Sequence, residues 1–382
     1  MKRFLSFPRR RESRFSSIIL SMESKIREKI QEAISAHVFP GCVIGIVKKN
    51  GERLIIPSGN FTYDPKSSPV TETSIFDVAS ITKVIPTSSL ALKLIDEKRL
   101  NLDDQLIKFV PEFHNSERDN VLIWHLLTHT LDFSFRLSEH KEKTPDEILK
   151  IIFTSEFKNK PGKIFFYSNA TSILLGLVVE RILGKPLDEL GKEYLFDPLK
   201  MNRTLFNPLK EFKREEIVPT EIQEWRSGHA SASDKRDGLV QGEAHDESAY
   251  ILNQKMVVGS AGLFSCCPDL LNFMEMILSN GTFDGKKYFS PEMVNQMQTN
   301  QLSDIGKHAG LGWELNQPRY MGVKSENRFG KTGFTGSLCI YDMNLKIAVV
   351  ILSNRVYPKR KHNLDADINK FRRNIANIVF GS

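Results

Sequence analysis

Cysteine is scarce in this chain: four in 382 residues, Cys42, Cys266, Cys267 and Cys339, two of them adjacent. That number and spacing give neither a disulfide framework nor a metal site, so the thiols read as buried side chains in a reducing compartment. No apolar run approaches the roughly 20 residues that cross a bilayer, so no transmembrane helix is expected. Excess charge is missing from the body as well. The formal net charge is +7, but residues 1–22 hold Lys2, Arg3, Arg9, Arg10, Arg11 and Arg14 against Glu12 alone, a net +5, which leaves +2 for the remainder. A near-neutral body gives no electrostatic footprint for nucleic acid, and Lys359-Arg360-Lys361 reads as a solvated loop. A secretory leader is also not apparent. The apolar part Ile18-Ile19-Leu20 is far shorter than a signal core, and Pro8-Arg9-Arg10-Arg11 interrupts whatever precedes it. These features predict an unstructured or non-native tail over residues 1–22, with Met22 as the start of the native chain, and a cytoplasmic protein.

What is present suits a globular enzyme: 40% hydrophobic and 26% charged residues, in a chain long enough to bury a large core and a cleft. Gly41 to Lys48 and Arg53 to Ile56 are short β-branched runs on either side of the turn signal Lys49-Asn50-Gly51, which predicts an antiparallel hairpin. Strand texture returns at 311–315, 328–332, 337–341 and 347–352. Between these ends the pattern is mostly helical, at 148–153, 170–183 and 268–278, with helices also at 26–34 and 366–380. The expected organisation is an α+β fold. One antiparallel sheet is built from the two ends of the chain (23–79 and 305–382) and flanked by helices, a large and mainly helical region (80–304) is inserted, and the active site lies at the junction. The polar stretch from Glu211 to Asp246 is either a cleft wall or a surface loop.

Three motifs carry chemistry. Ser-x-x-Lys occurs at Ser80, Ser138 and Ser155, but only Ser80 opens a long helical pattern. In a helix starting there, Lys83 lies one turn on and its ammonium can reach the Ser80 hydroxyl. Unpaired N–H groups at the helix start add an anion-stabilising donor. Tyr167-Ser168-Asn169 sits where a loop enters the helix from Ala170. Lys331-Thr332-Gly333 ends a strand, and its glycine lets a ligand approach the backbone. His125 and His129 at i, i+4, with His245-Asp246 downstream, lack a third metal ligand in register and read as packed or loop histidines. No metal and no cofactor are expected.

In this order the three motifs resemble the active-site set of the serine β-lactamase and penicillin-binding-protein superfamily, in its class C β-lactamase-related esterase and peptidase branch. Segments 124–130, 197–201, 242–247, 259–265 and 352–355 extend the resemblance over roughly residues 25–380. It implies the β-lactamase/transpeptidase fold and a metal-independent acyl-enzyme mechanism. Ser80 would be the nucleophile, Lys83 and Tyr167 the proton shuttle, and the backbone N–H groups of Ser80 and Phe334 the oxyanion hole. Asn169, Lys331, Thr332 and Gly333 would bind substrate, Lys331 lowering the pKa of Lys83 and holding a substrate carboxylate. The implied substrate is a small ester, amide or peptide. The alternatives are a β-lactamase, a D-alanyl carboxypeptidase or muropeptide amidase, or a sensor or scaffold that does not turn over. Two departures stand out: Leu131-Asp132 follows Thr130 where the family usually has Ser-Gly, and Pro86 falls inside the expected catalytic helix, where it predicts a kink.

Overall fold

The computed structural model of the protein describes residues 9–115, 118–133, 135–223, 238–360 and 364–381. Six strands form its main sheet: β1 (Gly41–Lys48), β2 (Arg53–Gly59), β3 (Glu314–Leu315), β4 (Arg328–Thr332), β5 (Leu338–Asp342) and β6 (Ile347–Ser353). Their order is β3-β4-β5-β6-β1-β2, antiparallel throughout. The first strand of the chain therefore pairs with the last, Val43 opposite Leu352 and Ile46 opposite Val349. The hairpin β1–β2 and the sheet drawn from both ends of the chain are as the sequence predicts.

Five helices position the sheet and the site: α1 (Arg9–Ser35), α2 (Ser89–Asp96), α3 (Asn169–Leu183), α4 (Cys267–Leu278) and α5 (Leu364–Phe380). Alternate residues of a strand point to opposite faces, and both faces of this sheet are covered. Cys42, Ile44, Ile46, Val349 and Ile351 pack with Ile26 and Ile30 of α1 and Ile368, Phe371 and Ile375 of α5. Val43, Val47, Val350 and Leu352 face the larger core with Leu271 and Met274 of α4. Double coverage explains why β1 and β6 read as unbroken apolar runs rather than alternating ones. The approach of α4 is close: a Cβ on Gly45 would lie 2.3 Å from the Cys267 sulfur.

Two expectations need correction. Helix α1 begins at Arg9, so much of the stretch expected as an unstructured tail is helical; Ile26 and Ile30 anchor the packed end, and extending a formed helix costs far less than nucleating one. The long helix expected from Ser80 is also broken. A 3₁₀ turn covers Ala79–Lys83, Ile85 leaves helical geometry at φ −125°, ψ 108°, and regular helix resumes only in α2. A residue before proline is driven out of the α region, and Pro86 has no N–H to continue the ladder. The polar region is in part a short antiparallel pair, Glu221–Ile222 with Leu239–Val240; its middle, residues 224–237, lies outside the described residues.

Candidate active site

The turn that carries Ser80 is held by its flanks. Ala79 has φ 48°, a left-handed conformation that costs an L-residue roughly 1–3 kcal/mol unless its surroundings enforce it. Asp77 supplies part of that enforcement, its Oδ1 accepting from the Ala79 N–H at 2.7 Å. The loop after β4 supplies more. Thr335 Oγ1 donates to the Asp77 carbonyl at 2.7 Å and Ser337 Oγ to the Val78 carbonyl at 2.9 Å. A Cβ on Gly333 would lie 2.1 Å from Ser337 Oγ and 2.4 Å from the Val78 carbonyl oxygen. The third-motif glycine thus admits the protein's own backbone beside the Ser80 turn, where the sequence pointed to a ligand.

Lys83 lies beneath Ser80, 2% exposed. Its ammonium donates to Ser80 Oγ at 3.1 Å, Asn169 Oδ1 at 2.8 Å and the Ser260 carbonyl at 2.7 Å, using all three hydrogens. Burial lowers its pKa; Tyr167 and Asp246 oppose that shift and Lys331 adds to it. Tyr167 enters from the loop before α3, whose N-cap is Ser168 (Oγ accepting from Ala170 N at 3.1 Å). Tyr167 remains 42% exposed at the cleft. Burial of the hydroxyl pushes the phenol pKa up, but the charges of Lys331 and then Lys83, with the neighbouring Ser80 side chain adding to them, outweigh it and hold the pKa below the ordinary phenol value.

Lys331, on β4, is also 2% exposed, with its Nζ 4.2 Å from the centroid of the Tyr167 ring. Its ammonium is paired with Glu314 of β3 at 2.5 Å. Burial alone would lower its pKa; Glu314 and the Tyr167 hydroxyl more than reverse that, so it is raised. The other oxygen of Glu314 accepts from the Tyr320 hydroxyl. Asn169 is engaged at both ends: its Oδ1 faces Lys83, and its Nδ2 donates to Asp246 Oδ2 at 2.9 Å. Asp246 Oδ1 accepts from Ser248 Oγ at 2.5 Å.

Ser80, Tyr167, Thr332, Gly333 and Phe334 line one cavity of about 340 Å³, together with Phe165, Lys307, Arg319 and others. Of the eight residues the sequence nominated, these five face the cavity directly, while Lys83, Asn169 and Lys331 sit behind the wall, hydrogen-bonded to protein atoms. Sequence reasoning left Asp77, Glu314 and Asp246 without roles. Asp77 lies three residues before Ser80, and Glu314 is the one carboxylate in an otherwise apolar strand, 311–315; these were the available signals. The other two Ser-x-x-Lys serines lie elsewhere, Ser138 in the 3₁₀ turn Leu137–His140 and Ser155 at the end of helix Pro145–Thr154. His125 and His129 are buried, and His129 Nδ1 lies 2.7 Å from Thr171 Oγ1. At the altered position after Thr130, Leu131 is buried and Asp132 Oδ2 accepts from Asn159 at 2.7 Å.

A family model described as Beta-lactamase matches residues 26–371. The chain is 31% identical over 307 residues to a protein of Escherichia coli (strain K12) named "Putative D-alanyl-D-alanine carboxypeptidase", covering 74% of this chain and 69% of that one. It is 28% identical over 365 residues to the N-acetylmuramyl-L-alanine amidase of Bacillus subtilis (strain 168), covering 87% and 80%. Among solved structures, EstCE1, a hydrolase with promiscuous acyltransferase activity, superposes with a TM-score of 0.70 at 20% identity, covering 92% of this chain and 98% of that one.

Proposed function

The chain belongs to the beta-lactamase family and is a serine hydrolase; we propose that it opens an ester or amide through an acyl-enzyme on Ser80. The observation that carries this reading is the convergence on one hydroxyl: Lys83 Nζ lies 3.1 Å from Ser80 Oγ, and Tyr167, whose ring centroid is 5.2 Å from the same ammonium, lines the cavity beside Ser80. In acylation the Ser80 oxygen attacks the substrate carbonyl carbon while its proton passes to Lys83 and Tyr167. The N–H groups of Ser80 and Phe334 receive the developing oxyanion. The leaving group departs with the proton returned from Tyr167, and water, activated by the same pair, releases the acyl group. General base catalysis of this kind is worth roughly 10²–10⁴ in rate, and each oxyanion donor roughly as much.

We assign Thr332 and Gly333 to the edge along which substrate lies, and Asn169 and Lys331 to orienting Lys83 and Tyr167. The hydrogen-bond partners of Asn169 and Lys331 support that division, because a substrate amide or carboxylate would have to displace Asp246 or Glu314 to reach them. We assign the catalytic crevice to the junction between the sheet built from 23–79 and 305–382 and the helical region 80–304. A second reading is hydrolysis of a cell-wall peptide, as a D-alanyl carboxypeptidase or muropeptide amidase. The names of the two curated relatives and the cations Lys307 and Arg319 on the cavity wall support a carboxylate-bearing substrate of that kind. Four free, buried cysteines support a reducing, cytoplasmic compartment, and no helix of the described residues is long and apolar enough to cross a membrane.

The test is mass spectrometry after incubation with a fluorophosphonate and with a penicillin, beside turnover of a chromogenic ester and a chromogenic cephalosporin. A single adduct at Ser80 with sustained turnover is expected, both lost in Ser80→Ala. A stoichiometric burst without turnover would identify an acyl acceptor instead, and turnover undiminished in the variant would remove Ser80 as nucleophile.

A further inference from the structure

We propose that His245 is a positioning residue for the oxyanion hole, tying together the two backbone segments that supply its donors. The proposal rests on the assignment of the Ser80 and Phe334 N–H groups to that role. Neither segment is fixed by the catalytic motifs alone. On the Ser80 side, Ala79 occupies a left-handed conformation held by Asp77, and the second oxygen of Asp77 accepts from the backbone N–H of His245 at 2.7 Å. On the other side, the Phe334 side chain is 43% exposed at the cleft, and the His245 imidazole stacks on it with centroids 5.5 Å apart and planes 23° apart. One residue thus meets both halves of the hole, its main chain on the nucleophile turn and its ring on the facing turn.

His245 is itself held rigidly. It is 3% exposed, and its Nε2 lies 2.8 Å from Glu221 Oε2. Glu221 is buried, which opposes its ionisation, but the hydrogen bond and charge of His245 with those of Gln223 and Arg360 hold its pKa at about 2. Arg360 donates to the same carboxylate at 3.0 Å and lies 5.4 Å from the Phe334 ring centroid, bracing the stack. His245 does not line the cavity, so it acts through Phe334 and Asp77 rather than on substrate. Oxyanion donors must sit within about 2.7–3.1 Å of the developing charge, and a misplacement near 1 Å costs on the order of 10²-fold; a buried brace across both donors meets that demand.

A double-mutant cycle with His245→Ala and Phe334→Ala tests this, each enzyme assayed on an ester and on the matching thionoester, whose sulfur fits an oxyanion hole poorly. Both variants keep every backbone N–H; His245→Ala removes the ring contact together with the Nε2 contact to Glu221, and His245→Asn, assayed beside it, removes the ring while still offering that carboxylate a donor. Expected for His245→Ala are a kcat lower by roughly 10- to 100-fold, an unchanged KM and a smaller ester-to-thionoester rate ratio. In the Phe334→Ala background the same change should do little more, because the ring it acts through is gone. Should His245→Ala fail to fold, His245→Asn, which keeps a donor for Glu221 but no ring, carries the same expectation. Multiplying effects, a change in KM alone, or an unaltered ratio would overturn the role of His245. A wild-type ratio near one would instead remove the oxyanion assignment itself, and the proposal with it.

Discussion

The two walls of the cleft each bury a lysine, and the two lysines are tuned in opposite directions. Lys83 on the Ser80 turn and Lys331 on β4 are equally inaccessible, both near the Tyr167 ring at 5.2 and 4.2 Å. The partners differ. Lys83 meets only neutral oxygens, from Ser80, Asn169 and Ser260, so desolvation dominates and its proton is loosely held. Lys331 meets the Glu314 carboxylate, which more than offsets desolvation and keeps it charged. Burial sets how strongly a charge responds to its neighbours; the neighbours set the sign. One amine can thus trade protons while the other acts as a fixed cation beside the phenol.

The largest effect expected from breaking this arrangement is on the exchanging side. Ser80→Ala and Lys83→Met should each lower kcat by roughly 10³-fold or more, measured with the chromogenic ester; activity within tenfold of wild type in Lys83→Met would show that Tyr167 works alone. Unfolding in urea should reverse the ranking of the two lysines. Lys331→Met leaves Glu314 buried without its cation and should cost about 3–5 kcal/mol, whereas Lys83→Met removes a charge that burial disfavours and should cost much less. Equal losses would mean that the pairing with Glu314 contributes nothing particular.

The dependence on pH sharpens the same contrast. Removing the charge of Lys331, the larger of the two cationic influences on Tyr167, should raise the phenol pKa and move the acid limb of kcat/KM upward in the double variant Lys331→Met, Glu314→Gln, which avoids the stranded carboxylate. An unmoved limb would assign the tuning of Tyr167 to Lys83 alone. For stability, the raised pKa of Lys331 means that its favourable contribution is complete below the unfolded value near 10.5 and is lost only as pH rises through the higher folded value. Lys83 has the opposite sign: its lowered pKa opposes folding while it is protonated, and that cost fades as pH rises through its folded pKa. The smallest effect belongs to a solvent-exposed pair of the same chemistry. Lys200 and Asp284, 2.7 Å apart and both 63% exposed, are screened by water, and Lys200→Ala should leave the urea midpoint unchanged.

Much of this was legible in the sequence because it is local or periodic. Ser80 and Lys83 share a turn, Tyr167 sits just before a capped helix, and the apolar runs of β1 and β6 declare a sheet buried on both faces. What escaped were partnerships across long separations. Nothing near Lys331 announces that Glu314 will neutralise it, and nothing near Asn169 announces that Asp246, 77 residues on, will claim its amide. The break at Ile85 was half visible: proline foretold a kink, but the surrounding apolar periodicity argued for continuity. Arg9 to Met22 read as a loose tail because composition alone does not reveal that a packed helix downstream will extend through it.

The pairing of β1 with β6 has a consequence for biosynthesis. Residues 41–48 leave the ribosome some 300 residues before their partner, 347–353, so an apolar strand at the centre of the sheet emerges with one edge and both faces uncovered. Chaperone capture of nascent chains lacking the last strand, and aggregation of truncations ending before residue 347, are the expected costs of closing a sheet with the two ends of a polypeptide.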